Sequence, residues 1–262
     1  MNNAAPHEMS IVSTGTTLVV GGTGGIGSAI CRALAGHGSD VAFSYKTRAD
    51  AAERLSREIE TLGQKSWSAR VDLTDPAAVC AFVDAAIAAF GTIDSVVYAA
   101  GPPLEFLYIN EIDPVDWARV INADINGCFN LVSAVLPHFR ARKRGNIVAL
   151  VTAAVDRAPP RDILSAAPKA AIQMLIRGVA REEGRVGIRA NCVGPGYIEA
   201  GLGLSTVHGH TADYVARMIR AIPLQRAGTA AEVADVVLFL LSDKARYVTG
   251  ETINVAGGLQ LA

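Results

Sequence analysis

The sequence predicts an α/β protein: a single doubly wound parallel sheet with helices on both faces. Three observations predict it. Short β-rich runs alternate with longer helix-patterned stretches along all 262 residues. Most of those runs are continuously apolar, the pattern of parallel strands covered on both sides. Half the chain is apolar (50%) and 19% is charged, which supports a substantial core and excludes disordered, collagen-like or low-complexity sequence.

The first run is Thr17–Val20, which a glycine-rich turn joins to a helix carrying Ile26, Ile30, Ala33 and Leu34 on one face. His37-Gly38 stops that helix. The second run, Val41–Tyr45, precedes a helix over Ala51–Leu62 that ends at Gly63. After the third, Ser66–Val71, Asp75-Pro76 supplies an N-cap and a proline at the first helical position. That helix, Pro76–Phe90, ends at Gly91. Ser95–Ala99, Asn146–Val151, Ile188–Val193 and Thr252–Val255 complete the strands.

Between the fourth and fifth strands, Pro137 implies a kinked helix. Its neighbours Val132, Val135, Leu136 and Phe139 form an apolar stripe suited to core or subunit contact. Repeated β-α order with right-handed crossovers closes one sheet. No linker and no solenoid repeat divides the chain, so residues 15–262 read as one domain behind a flexible tail over 1–14. Residues 197–223, with Gly201, Gly203 and Gly209, read as a mobile excursion carrying one helix, suited to a substrate lid.

Lys and Arg number 24 against 25 Asp and Glu, a net charge of −1 that points to no nucleic-acid or acidic-membrane partner. Cys31, Cys80, Cys128 and Cys192 are widely spaced, which fits a reducing cytosol better than a disulfide framework or zinc site. The polar start MNNAAPHEMS is no signal peptide, and the apolar run Val233–Leu241 is too short to span a bilayer. A cytoplasmic protein without a membrane partner is expected. No Gly-x-Ser-x-Gly, His-Glu-x-x-His or P-loop motif occurs, and His7, His37, His138, His208 and His210 show no metal-ligand spacing.

Chemistry begins at the first turn, Val19-Val20-Gly21-Gly22-Thr23-Gly24-Gly25-Ile26-Gly27. Glycines there permit a sharp turn, close approach to a pyrophosphate and tight helix packing, and the helix start offers free N–H groups to phosphate. A Rossmann-type dinucleotide loop is expected; the alternative, a plain tight turn, explains one or two of these glycines but not five. At the end of the second strand, Ser44-Tyr45-Lys46-Thr47-Arg48 carries no carboxylate before Asp50. An acid there would bind the ribose hydroxyls of NAD(H), whereas Lys46 and Arg48 suit the 2′-phosphate of NADP(H). The alternative is two solvated surface cations.

On these residues the chain resembles the short-chain dehydrogenase/reductase superfamily. The family's Gly-x-x-x-Gly-x-Gly falls on Gly21, Gly25 and Gly27, and its Asp after the third strand on Asp72. Tyr98-Ala99-Ala100-Gly101 stands where the family has Asn-Asn-Ala-Gly, and Pro195-Gly196 matches its Pro-Gly beside the nicotinamide. The resemblance implies that Gly21, Thr23, Gly24, Gly25 and Ile26 cradle the pyrophosphate, with Tyr45, Lys46, Arg48, Asp72 and Leu73 towards the adenosine. Ala99, Ala100, Gly101, Lys169, Pro195, Gly196 and Ile198 complete the implied NADP(H) site. It also implies a homotetramer or homodimer.

Most of the family uses Asn, Ser and Tyr-x-x-x-Lys. Lys169 matches the lysine, but Ser165 stands where Tyr should be, Thr152 where Ser should be, and Asp124 where Asn should be. An aliphatic hydroxyl has neither the acidity nor the reach of a phenol. The altered set is similar to that of the 2,4-dienoyl-CoA reductases, whose mitochondrial type has Ser at the Tyr position and whose peroxisomal type has Asp at the Asn position. That likeness implies hydride addition to a C=C conjugated with an enoyl or dienoyl thioester, whereas the superfamily resemblance implies addition to a carbonyl, as on a 3-oxoacyl thioester. Lys169 would serve the cofactor ribose, Thr152 and Ser165 would bind oxygen, and Asp124 would act as proton relay or acid.

Two departures accompany it, Ala256 before Gly257-Gly258 in place of Asp, and Ala200 where a Thr is expected. Other readings stay open. Asp124 is otherwise a carboxylate satisfied locally, Lys169 a surface lysine, and Ser165 a helix N-cap. Tyr98, Tyr108, Tyr197 or another lid residue is left as a possible acid. With no phenol assigned, a dinucleotide-binding sensor or structural subunit without turnover is the alternative function.

Overall fold

The computed structural model describes residues 15–200 and 212–261. Its centre is a seven-stranded, all-parallel sheet in the order β3-β2-β1-β4-β5-β6-β7. The strands are β1 Thr16–Val20, β2 Asp40–Tyr45, β3 Ser66–Arg70, β4 Ser95–Tyr98, β5 Gly145–Leu150, β6 Ile188–Pro195 and β7 Thr252–Val255. Each falls on a run anticipated from sequence. The largest difference is β6, which extends to Pro195 because Gly194 and Pro195 still align with Asn254 and Val255 of β7.

Side chains alternate across the sheet. Leu18 and Val20 face one layer with α3 (Pro76–Phe90), α5 (Gly127–Arg142) and α7 (Ile163–Glu183), while Val19 faces α1 (Gly25–Gly36), α2 (Ala49–Thr61) and α9 (Ala230–Leu241). The stripe Val132, Val135 and Phe139 is fully within the first layer, and Leu136 packs at its edge, so it is core. Pro137 lies inside α5 without ending it. The helix ends follow the sequence signals: Gly63 and Gly91 take positive φ where α2 and α3 stop, and the Asp75 carboxylate accepts from the Ala77 and Ala78 amides where α3 starts.

Three elements lie between β4 and α5, the first a 3-10 turn over Ile109–Glu111. Asp113 caps α4 (Pro114–Ile121), and residues Asn122–Asn126 form one π-helical turn before α5. The short α6 (Ala154–Arg157) follows β5. In the 197–223 excursion, α8 covers Ala212–Ala221, while residues 201–211, including Gly201, Gly203, Gly209, His208 and His210, lie outside the described residues, as does the 1–14 tail. The base of the excursion is pinned by mutual backbone bonds, Gly228 N–H to Tyr197 O at 2.9 Å and Glu199 N–H to Gly228 O at 2.9 Å.

Among the described residues no helix is long and apolar enough to cross a membrane, and no acid, His or Cys cluster could hold a metal. All four cysteines are free. Burial pushes the Cys128 and Cys192 thiols up to about 12, so both are core groups rather than nucleophiles.

Candidate active site

A cavity of about 390 Å³ opens at the carboxyl ends of β1, β4, β5 and β6. That is where an open α/β sheet offers a crevice for ligands. The β1–α1 loop forms one wall. Gly21 sits at φ +82 and a Cβ there would come within 2.7 Å of the Ala99 carbonyl, so only glycine fits this turn. A Cβ at Gly27 would intrude on the Gly21 carbonyl, so glycine is what lets α1 start so close to the loop. α1 has no side-chain cap and no acid in its first turn, which leaves its amides and positive dipole end free for an anion.

Opposite the loop, α7 brings Ser165 and Lys169 to the cavity, and the π turn brings Asp124. π turns re-aim side chains at functional sites. Here the Tyr98 hydroxyl donates to the carbonyls of Ala123 (3.3 Å) and Asp124 (3.0 Å) within that turn. Asp124 is 1% exposed, and its Oδ1 accepts from Lys169 Nζ at 3.0 Å. Lys169 also donates to Ala100 O at 3.3 Å, directly under Gly101. Asp124 Oδ2 is buried without a protein partner. Thr152 Oγ1 accepts from the Ala154 amide at 3.2 Å, which leaves the hydroxyl proton free to be donated.

The cavity thus brings together Gly24, Gly25, Ile26, Ala99, Ala100, Gly101, Asp124, Thr152, Ser165, Lys169, Pro195, Gly196 and Ile198 from the sequence reading. Gly21, Thr23, Tyr45, Lys46, Arg48, Asp72 and Leu73 are not in its wall; they sit around the ends of β1, β2 and β3. There the Arg48 guanidinium donates to Thr23 O, folding over the glycine loop. Lys46 pairs with Asp72 at 3.3 Å, both well exposed. The backbone amide and then the hydroxyl of Thr74, more than Lys46, hold the Asp72 carboxyl below its usual range. Tyr45 packs against the α1–α2 layer, and the Leu73 carbonyl accepts from Asn130 at 2.8 Å.

The reading of Ser165 as an N-cap is corrected. Asp162 holds the cap position and Ser165 lies inside the first turn of α7, because Pro168 is accommodated within the helix rather than at its start. Lys169 is not a surface lysine either; it forms a largely buried pair with Asp124, whose second oxygen has no protein partner among the described residues, so the carboxylate is not fully satisfied locally. Of the tyrosines, Tyr98 is core and does not line the cavity, and burial raises its phenol well above the ordinary value. Tyr108 is exposed outside, under Arg161. Tyr197 lines the cavity. Sequence reasoning missed Asp162, Arg157, Phe106 and Met218, which also line it.

Comparison with known proteins bears on this geometry. The family model described as Enoyl-(Acyl carrier protein) reductase matches residues 21–260. A 3-oxoacyl-[acyl-carrier-protein] reductase of Staphylococcus epidermidis is 31% identical over 246 residues, covering 94% of this chain and 99% of that protein. The chain belongs to the short-chain dehydrogenase/reductase superfamily.

Other members of the superfamily are similar over comparable lengths. Cis-4-hydroxycyclohexanecarboxylate dehydrogenase of Sinomonas cyclohexanicum is 34% identical over 243 residues, covering 92% of this chain and 94% of that one. Among solved structures, NAD⁺-bound xylitol dehydrogenase superposes with a TM-score of 0.88 at 29% identity, covering 94% of this chain and 98% of its own. Levodione reductase superposes at 0.91 with 26% identity, covering 96% and 99%. The chain is accordingly a short-chain oxidoreductase, and its loop, free helix start and crevice fit a nicotinamide dinucleotide.

Proposed function

We propose that this oxidoreductase is NADP(H)-dependent and reduces a carbonyl or conjugated C=C on an acyl thioester. The observation that carries this reading is a single cavity joining the free start of α1 to a cluster of Asp124, Thr152, Ser165 and Lys169. The thioester class draws on the acyl-carrier-protein substrates named for the matching family and for the staphylococcal relative. The bound cofactor supplies a hydride to the substrate carbon.

The chain's own residues do the rest. The α1 amides hold pyrophosphate. Asp124 fixes the Lys169 ammonium under Gly101, leaving one of its three donors for a ribose hydroxyl. That contact favours relay and positioning as the work of Asp124. The Thr152 hydroxyl, with its lone pair engaged by Ala154, and the Ser165 hydroxyl, with no protein partner among the described residues, donate to the oxygen on which charge develops.

NADP(H) preference rests on Lys46 and Arg48. The Lys46–Asp72 contact is exposed and costs little to exchange for a phosphate. Changing both cations to alanine is expected to weaken NADPH binding by about 10- to 100-fold and NADH binding by no more than about twofold. Fluorescence titration of both cofactors checks this, and equal losses would remove the 2′-phosphate assignment. In assays of NADPH oxidation, turnover is expected with dienoyl- or enoyl-CoA ahead of 3-oxoacyl-CoA. Tight NADPH binding with no turnover on any of them would favour the sensor or structural role.

A further inference from the structure

We propose that the Asp162 carboxyl is the proton donor and acceptor of this site, doing the work that a tyrosine at the Ser165 position would do. The inference rests on the reading of the cavity as a nicotinamide-dependent reductase site. Asp162, Ser165 and Lys169 are spaced i, i+3 and i+7 on α7, which puts them on one helix face, and all three line the cavity. By helix rise Asp162 lies roughly 10 Å along the axis from Lys169, with Ser165 between them. A substrate oxygen held by Ser165 and Thr152 is therefore flanked by Lys169 on the cofactor side and Asp162 on the other.

An aspartate at this position would ordinarily be a helix cap. Asp75 and Asp113 behave that way, accepting from the amides of Ala77 and Ala78 and of Val115. Asp162 does not. Its side chain makes no cap hydrogen bond, and the Ser165 and Ala166 amides go instead to its own backbone carbonyl, at 3.0 and 2.9 Å. Among the described residues nothing in the protein holds this carboxyl, which is partly buried in a cavity wall.

Burial pushes its pKa up to about 6, and no charged neighbour contributes. Among the described residues, the charged groups sharing the cavity are Arg157 on α6 and the Asp124–Lys169 pair, with Tyr197 the one phenol. Arg161, next in the chain, turns outward to Phe106 O and the Tyr108 ring. Tyr197 is the poorer donor, since burial and then Glu199 move it upward from an already high phenol value.

Hydride adds to the substrate carbon, and the electron pair of the C=O, or of the conjugated C=C, moves to the substrate oxygen. The Asp162 O–H bond breaks and its proton goes to that oxygen, or to the substrate α-carbon as the enolate collapses. The resulting carboxylate regains a proton from solvent. In the oxidative direction the carboxylate accepts the hydroxyl proton.

Asp162→Asn tests this in the intact protein. NADPH binding is expected to stay within about twofold, while kcat for reduction falls by about 100-fold or more. In the unsubstituted protein, kcat/KM for reduction should be level below pH 6 and fall as pH rises above it. Oxidation should show the opposite limb. The limb should vanish in Asp162→Asn, return in part in Asp162→Glu, and persist in Tyr197→Phe. Unchanged turnover and limb in Asp162→Asn would overturn the inference alone. Loss of the limb in Tyr197→Phe would transfer the role to Tyr197. Failure of the unsubstituted protein to bind or oxidise NADPH would overturn the underlying reading and the inference with it.

Discussion

Lys169→Ala is expected to abolish turnover, weaken NADPH binding and destabilise the fold by about 3–5 kcal/mol, the usual cost of stripping a buried ion of its partner. Among the described residues, Lys169 is the one cation on Asp124, which is 1% exposed and already has one oxygen without a protein partner. Removing the ammonium leaves both oxygens stranded beneath Gly101 and the cofactor cleft. Chemical denaturation and cofactor titration measure the two losses separately. Adding Asp124→Asn to Lys169→Ala should restore most of the stability, because the buried charge is gone, and none of the turnover. If the double variant is as unstable as the single one, the pair is not the source of the loss. If Lys169→Ala retains turnover, the role given to Lys169 is wrong.

Gly27→Ala is expected to have the next largest effect. The added methyl would press on the Gly21 carbonyl, a backbone atom that cannot move alone because Gly21 N–H is held by Ser44 Oγ at 3.0 Å and Gly24 N–H by Gly21 O at 2.9 Å. Relief requires α1 to shift away from the loop, taking the phosphate-facing amides with it. Overpacking of this kind costs roughly 1–3 kcal/mol. Affinity for both NADPH and NADH should fall together by about tenfold or more, since the pyrophosphate is common to them. Gly36→Ala, where a Cβ meets nothing, is the control and should bind normally. A Gly27→Ala protein with unaltered affinity would separate the loop from the cofactor.

The sheet was legible because most strands are continuous or near-continuous apolar runs with glycine or proline at several neighbouring helix ends, and these signals are local. Ser66–Arg70 shows the limit of that signal, since SWSAR is only half-buried at the sheet edge. The π turn over Asn122–Asn126 left no such mark: it is a change of hydrogen-bond register, anchored from a distance by the Tyr98 hydroxyl. Thr152, Ser165, Lys169 and Asp124 were found by motif position, and the structure brings them to one cavity. The burial of the Asp124–Lys169 pair needed the fold.

Asp162 escaped notice although its spacing to Ser165 and Lys169 was in plain view. An aspartate before a helix reads as a cap, and only coordinates show that its side chain does not cap. Conversely, Ser165 read as a cap because Pro168 lies three residues on, whereas the helix begins two residues earlier, at Ile163.

The central claim is that this cavity transfers hydride without a tyrosine at position 165. Turnover with NADPH deuterated at its transferable position, followed by mass spectrometry of the thioester product, tests it most directly. One deuterium is expected in the product from dienoyl- or enoyl-CoA, formed in a turnover that Lys169→Ala abolishes. Bound NADPH with no deuterated product from these or from 3-oxoacyl-CoA would contradict it, and would leave a dinucleotide-binding protein rather than an acyl-thioester reductase.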